Sequence, residues 1–142
     1  MMTDETRERD IYLAKAMGWQ YVLPGPETAE MYGEGVHCLR DPEGQLWPSP
    51  WAKTEDEAWA QMTPNLHGWE SAKAKLLRWL AADDARWTAF YYEIYQGWAA
   101  TSTMHWSRFL VTLTPAQVAE AAEKALRELK EAYEVQQARR RN

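Results

Sequence analysis

Nine tryptophans in a chain of 142 residues constrain this sequence more than any other feature. They are Trp19, Trp47, Trp51, Trp59, Trp69, Trp79, Trp87, Trp98 and Trp106, and seven tyrosines join them. An indole brings a large apolar surface together with an N–H that needs a partner. Tryptophan is for that reason rarely hidden completely. A chain of this length builds one core, too small to enclose nine indoles. Most are expected to line the core and its rim. The remainder are expected to face a ligand or a partner, where aromatic anchors are effective.

Composition and charge narrow the function classes. Apolar residues make up 46% and charged residues 26%, which supplies a core and excludes a wholly disordered chain. The formal net charge of −5 argues against general nucleic-acid binding, which draws affinity from a cationic surface. Residues 139–142 contain Arg139, Arg140 and Arg141 and read as a short basic C-terminal tail. No apolar run is long enough for a membrane span, and the acidic start lacks the pattern of a secretory signal. The expected location is the cytoplasm. The single cysteine, Cys38, allows neither an intrachain disulfide nor a zinc cage of several thiolates.

Along the chain, residues 4–17 read as a helix, with Asp4 or Thr6 as cap and Gly18 as terminator. Residues 19–23 alternate as a short strand. The stretch from Pro24 to Gly35 reads as loop. Residues 36–40 and 45–47 form a hairpin around the turn Asp41-Pro42-Glu43-Gly44. Thr54-Glu55-Asp56-Glu57 is a capping box that opens a helix carrying Ala58, Trp59 and Met62, which Pro64 ends. Residues 69–82 carry Trp69, Ala72, Leu76, Trp79 and Leu80 at helical spacing. Residues 87–95 are rich in β-formers and read as a strand, Gln96-Gly97 as a turn, and 98–104 as its return. One long helix over 69–95 is the competing reading. Residues 107–113 suit a further strand. Thr114-Pro115 opens the last helix, with the stripe Val118, Ala122, Leu126, Leu129 and Tyr133. The expected fold is a single α+β domain over residues 1–142, an antiparallel sheet of four to six strands sandwiched between helices.

Three stretches resemble a known family. Leu13-Ala14-Lys15-Ala16-Met17-Gly18-Trp19 is similar to the helix-to-strand opening of the phage ABA sandwich domain proteins. Trp47-Pro48-Ser49-Pro50, followed by Asp56-Glu57-Ala58-Trp59, resembles that family's proline-serine segment before a helix ending in Ala-Trp. Thr114-Pro115 and the alanine-rich helix after it resemble its closing helix. The resemblance spans most of residues 6–130. It implies a small protein of tailed bacteriophages, active in the bacterial host, with a sheet between helical layers and no catalytic motif to carry over. The chain departs from the family by a longer middle helical region, residues 65–84, and by its tryptophan content.

The reactive side chains do not assemble into a known machinery. His37, His67 and His105 lie on different elements and form no metal-binding spacing. His37 and Cys38 point to opposite faces of one strand. Cys38 reads as an inert core residue, and Asp83-Asp84 as helix-end solvation. Phosphate loops and nucleophile elbows are missing. The expectation is a non-enzymatic protein with no metal or cofactor. Two groups of residues suit an aromatic, phosphate-bearing ligand, because bases stack on rings and arginine grips phosphate. They are Trp98, His105, Trp106 and Arg108, and Trp47, Trp51 and Lys53. The leading expectation is a phage accessory protein that counteracts host defence, by sequestering a nucleotide-type signal or by blocking a host protein. The alternative is a structural or assembly protein that self-associates through its sheet edge or last helix. The stripe of that helix suits either a homo-oligomer or the protein's own sheet.

Overall fold

The computed structural model describes residues 4–101 and 103–141. The protein is mixed helix and strand. The chain gathers into two compact units, Met1–Asn65 and Leu66–Asn142.

The first unit holds α1 (Asp4–Ala16), β1 (Gln20–Val22), α2 (Pro26–Tyr32), β2 (His37–Arg40), β3 (Leu46–Ser49) and α3 (Glu55–Met62). Its punctuation follows the sequence. Gly18 ends α1 at φ 107°, a left-handed conformation that glycine adopts without a Cβ penalty. Gly44 closes the turn after β2 at φ 93°, and its N–H donates to the Asp41 carbonyl at 3.0 Å. Thr54 caps α3, its Oγ1 accepting from the Glu57 N–H at 3.2 Å. The capping role expected of Asp4 falls on a side chain outside the described residues, and Thr6 lies within α1.

The strands form a three-stranded antiparallel sheet in the order β1-β2-β3, with Tyr21 opposite Leu39 and Leu39 opposite Trp47. Leu39 is fully buried against Ala14 of α1 and Ala58 and Trp59 of α3. Alternation points Cys38 and Arg40 the other way. There Arg40 Nη2 donates to Glu27 Oε1 of α2 at 3.2 Å, and the Tyr32 hydroxyl donates to the Leu46 carbonyl at 3.3 Å. Helix α2 lies where the sequence read as loop. Pro26 pre-sets its first helical residue, and the Gly25 N–H donates to Thr28 Oγ1 at 2.9 Å, which settles an orphan donor.

The second unit contains α4 (Glu70–Ala81), α5 (Asp84–Thr101), α6 (Trp106–Val111) and α7 (Pro115–Arg141). The second hairpin expected over 87–104 is not formed among the described residues. Residues 87–101 belong to α5, and the strand expected over 107–113 is largely α6. The sheet therefore has three strands rather than four to six. Packing overrides β-propensity here. Phe90 and Ile94 are four residues apart and both buried, so one helix face seats them together. Asp83 fixes the start of α5, its Oδ1 accepting from the Arg86 N–H at 2.9 Å. The single long helix over 69–95 is not formed either, since α4 ends at Ala81. Helix α7 packs against α4 and α5. Val118, Ala119, Ala122 and Ala125 are fully buried, and small side chains let helix axes approach closely. The expected basic tail is the last turn of α7 as far as Arg141, and Asn142 lies outside the described residues.

Replacing Leu39 by alanine tests the first unit's core. The substitution should cost about 3 kcal/mol of unfolding free energy, through lost burial and a residual cavity. Denaturant titration of both chains reads it, and a loss under about 1 kcal/mol would contradict the packing described.

Candidate functional site

The two tryptophan groups expected from the sequence meet different fates. In the first unit, Trp47 is 39% exposed on β3. Its Nε1–H donates to Asp41 Oδ2 at 3.0 Å, while Asp41 Oδ1 accepts from the N–H groups of Glu43 and Gln45. Burial of Asp41 pushes its carboxyl up, but the bonds from Trp47 and the turn backbone outweigh this and hold it below its ordinary value. Trp51 is 80% exposed in the turn after β3. Lys53 is exposed, and its backbone N–H donates to Glu57 Oε2 at 3.4 Å. Among the described residues no ring contact joins Trp47 to Trp51. Trp47 thus serves the hairpin turn through its indole N–H.

In the second unit the expected group is partly assembled. Trp98 of α5 and Trp106 of α6 lie 5.3 Å apart between ring centroids, tilted by 60°. Trp106 is the hub of a larger cluster, with Tyr91 at 5.6 Å, Tyr95 at 5.5 Å and Phe109 at 6.0 Å. The Trp98 Nε1–H donates to the Met104 carbonyl at 2.6 Å and ties α5 to the segment before α6. His105 caps α6, its Nδ1 accepting from the Ser107 N–H at 3.3 Å. Arg108 lies exposed on the same short helix.

Sequence reasoning missed Trp87, Tyr91, Tyr95 and Phe109 as parts of this face. Their signal is the spacing of Trp87, Tyr91, Tyr95 and Trp98, which forms one row along a helix. The strand reading of the same residues concealed it. The row points outward, with Tyr91 43% and Tyr95 46% exposed. The adjoining face of α5 buries a carboxylate, Glu93, beside Phe90 and Ile94. Lys124 of α7 meets Glu93 Oε2 at 3.2 Å, and that contact raises the lysine's pKa. The neighbouring Glu93 carboxylate first, and then burial, push the carboxyl of Glu128, one turn further on, up.

Beside this pair lies an open groove of about 650 Å³ between α5 and α7. Ala85, Ala89 and Leu129 line it together with Thr88 and Tyr92, and Asp84 and Glu128 lie at its rim. Elsewhere, the buried Cys38 thiol is pushed up by burial, with Arg40 opposing and Glu27 reinforcing. The Tyr21 hydroxyl and His37 Nδ1 hydrogen-bond each other. Among the described residues no group of three or more acidic, histidine or cysteine side chains is placed to hold a metal ion. No helix among them is long and apolar enough to cross a membrane.

No family model matches the chain, and it matches neither a curated protein nor a solved structure.

Asp41→Ala should destabilise the chain by about 2 kcal/mol near neutral pH, since it removes hydrogen bonds to a charged acceptor. The native carboxyl is held below its unfolded value. Its contribution is therefore present above the unfolded pKa and fades as pH falls through the folded one. Unfolding midpoints measured from neutral to acid pH should converge for the two chains. A difference independent of pH would contradict the role given to this carboxylate.

Proposed function

We propose that this protein acts by binding, as a small accessory protein of a tailed bacteriophage, and that the outward face of α5 and α6 is its contact surface for a host protein of anti-phage defence. The phage setting rests on the sequence resemblance. The binding surface rests on one observation, the outward row of aromatic rings on a helix that buries a glutamate. Trp87, Tyr91, Tyr95, Leu110 and Val111 are all more than a third exposed. With a large aromatic carrying about 150–250 Å², they leave on the order of 500 Å² of apolar surface in water. A patch of that size matches the largest that a typical monomer exposes, and such patches are often functional. Tyrosine and tryptophan bring area at low entropic cost, and they dominate the energetic centres of interfaces.

A protein partner fits this face better than a nucleotide-type signal. Trp98 and Trp106 pack against each other, with no slot left open between them for a base. His105 is engaged in capping α6. The surface is a helix face rather than the concave pocket that small ligands favour. Blocking a host protein is accordingly the leading reading, and sequestering a signal the second. An assembly role in the phage is the alternative from a different class.

Affinity capture from host extract, with the unmodified chain and with Tyr91→Ala/Tyr95→Ala as bait, tests the reading. Calorimetric titration with cyclic oligonucleotides and NAD-derived nucleotides runs beside it. The expected result is a stoichiometric host protein that the double variant loses by at least about tenfold in affinity, with no heat from the nucleotides. Nucleotide heat would favour signal sequestration. Capture of phage structural proteins would favour assembly. Equal capture by both baits would remove the aromatic face from the account.

A further inference from the structure

Helix α6 is six residues long, and none of its residues is buried. So short a helix gains little from its own hydrogen bonds and is held by what it packs against. Its fastening to α5 converges on one side chain. Among the described residues, every ring contact between the two helices passes through Trp106, at 5.6 Å to Tyr91, 5.5 Å to Tyr95 and 5.3 Å to Trp98. The two tyrosines meet it edge to face, at 80° and 71°, an arrangement that aromatic pairs favour. Tyr91, Tyr95 and Trp98 thus form a seat for one ring. The chain is tied down on both sides of α6. The Trp98 Nε1–H donates to the Met104 carbonyl at 2.6 Å, and Lys73 Nζ of α4 donates to the carbonyl of the buried Leu113 at 3.0 Å. Between these ties α6 holds Leu110 and Val111 in water. Few buried contacts and fastening through one ring are the physical marks of a segment that opens ahead of its surroundings.

We propose that α6 is a latch on α5, and that Trp106 is an internal stand-in for an aromatic side chain of the partner protein. When Trp106 leaves its seat, the helix releases between Met104 and Leu113. The seat formed by Tyr91, Tyr95 and Trp98 then takes a ring from the partner instead. A ring that binds only the vacated seat draws the chain to the open form. The seat suits an aromatic side chain rather than a charged one. From Trp87 to Thr101, α5 carries one charged residue, Glu93, and it is buried against Lys124 rather than offered to the seat. The use given to the latch rests on the reading of this face as a protein contact, whereas its opening is a property of the free chain.

Hydrogen exchange and a synthetic peptide test the latch. In the unmodified chain, the amides of residues 109–113 should exchange at least about tenfold faster than those of residues 90–94. In Trp106→Ala the first set should lose its protection, while the second keeps its rate within about threefold. A peptide with the sequence of residues 103–114 should bind the Trp106→Ala chain at least about tenfold more tightly than the unmodified chain, whose seat is filled. The same peptide carrying Trp106→Ala should bind neither. Circular dichroism checks that the variant remains helical, and Trp106→Leu takes its place where the alanine chain unfolds. Equal exchange of the two stretches, loss of protection in α5 along with α6, or a peptide indifferent to the vacated seat would each overturn the inference. None of these measurements involves a host protein. A failed latch therefore leaves the contact face standing, and a host protein captured equally by the double tyrosine variant leaves the opening of α6 standing.

Discussion

The contact between Glu93 and Lys124 fixes which way α5 faces. A carboxylate is costly to bury unless it is paired, and here it sits between Phe90 and Ile94 on the face turned to α7. Lys124 meets it at 3.2 Å. Phe90 and Ile94 supply the apolar drive for the contact, and the ion pair sets its register. With that face committed, the rest of α5 has no choice. Trp87, Tyr91 and Tyr95 turn outward, and α6 folds beneath them through the Trp98–Met104 bond and the rings around Trp106.

The two units differ in how much of them can be read from the residues. In the first, local chemistry and tertiary structure agree. Gly18, the Asp41–Gly44 turn and the Thr54 cap each work within a few residues, and the sheet follows from them. Helix α2 escaped because Gly25, Pro26 and Gly33 signal a loop, and a helix of seven residues leaves little periodicity to see. In the second unit local preference and packing disagree. A run of tryptophan, threonine, phenylalanine and tyrosine favours strands by propensity, but Phe90 and Ile94 bury as a helical pair. The deciding contacts come from α7, more than twenty residues away in the chain.

The candidate site was legible to the same degree. Trp98 and Trp106 were visible as aromatics near one another in sequence, and their rings do meet. Tyr91 and Tyr95 join them only on a helix, so the strand reading hid them. His105 and Arg108 invited a ligand by their chemistry, but His105 has a structural task as a helix cap. Trp47 likewise binds Asp41 in the hairpin. Residue type suggested chemistry in both cases, and the position in the chain assigned a local one.

Pro48 has a consequence beyond the hairpin it belongs to. It stands in β3, an outermost strand, and offers no N–H to a newcomer strand. On the far side β1 is only three residues long, and Pro24 follows soon after it. Short and proline-bearing borders of this kind are how small sheets escape fibril-like stacking. The same residues that mark the approach to α3 thus make both borders of the sheet poor templates for a further strand.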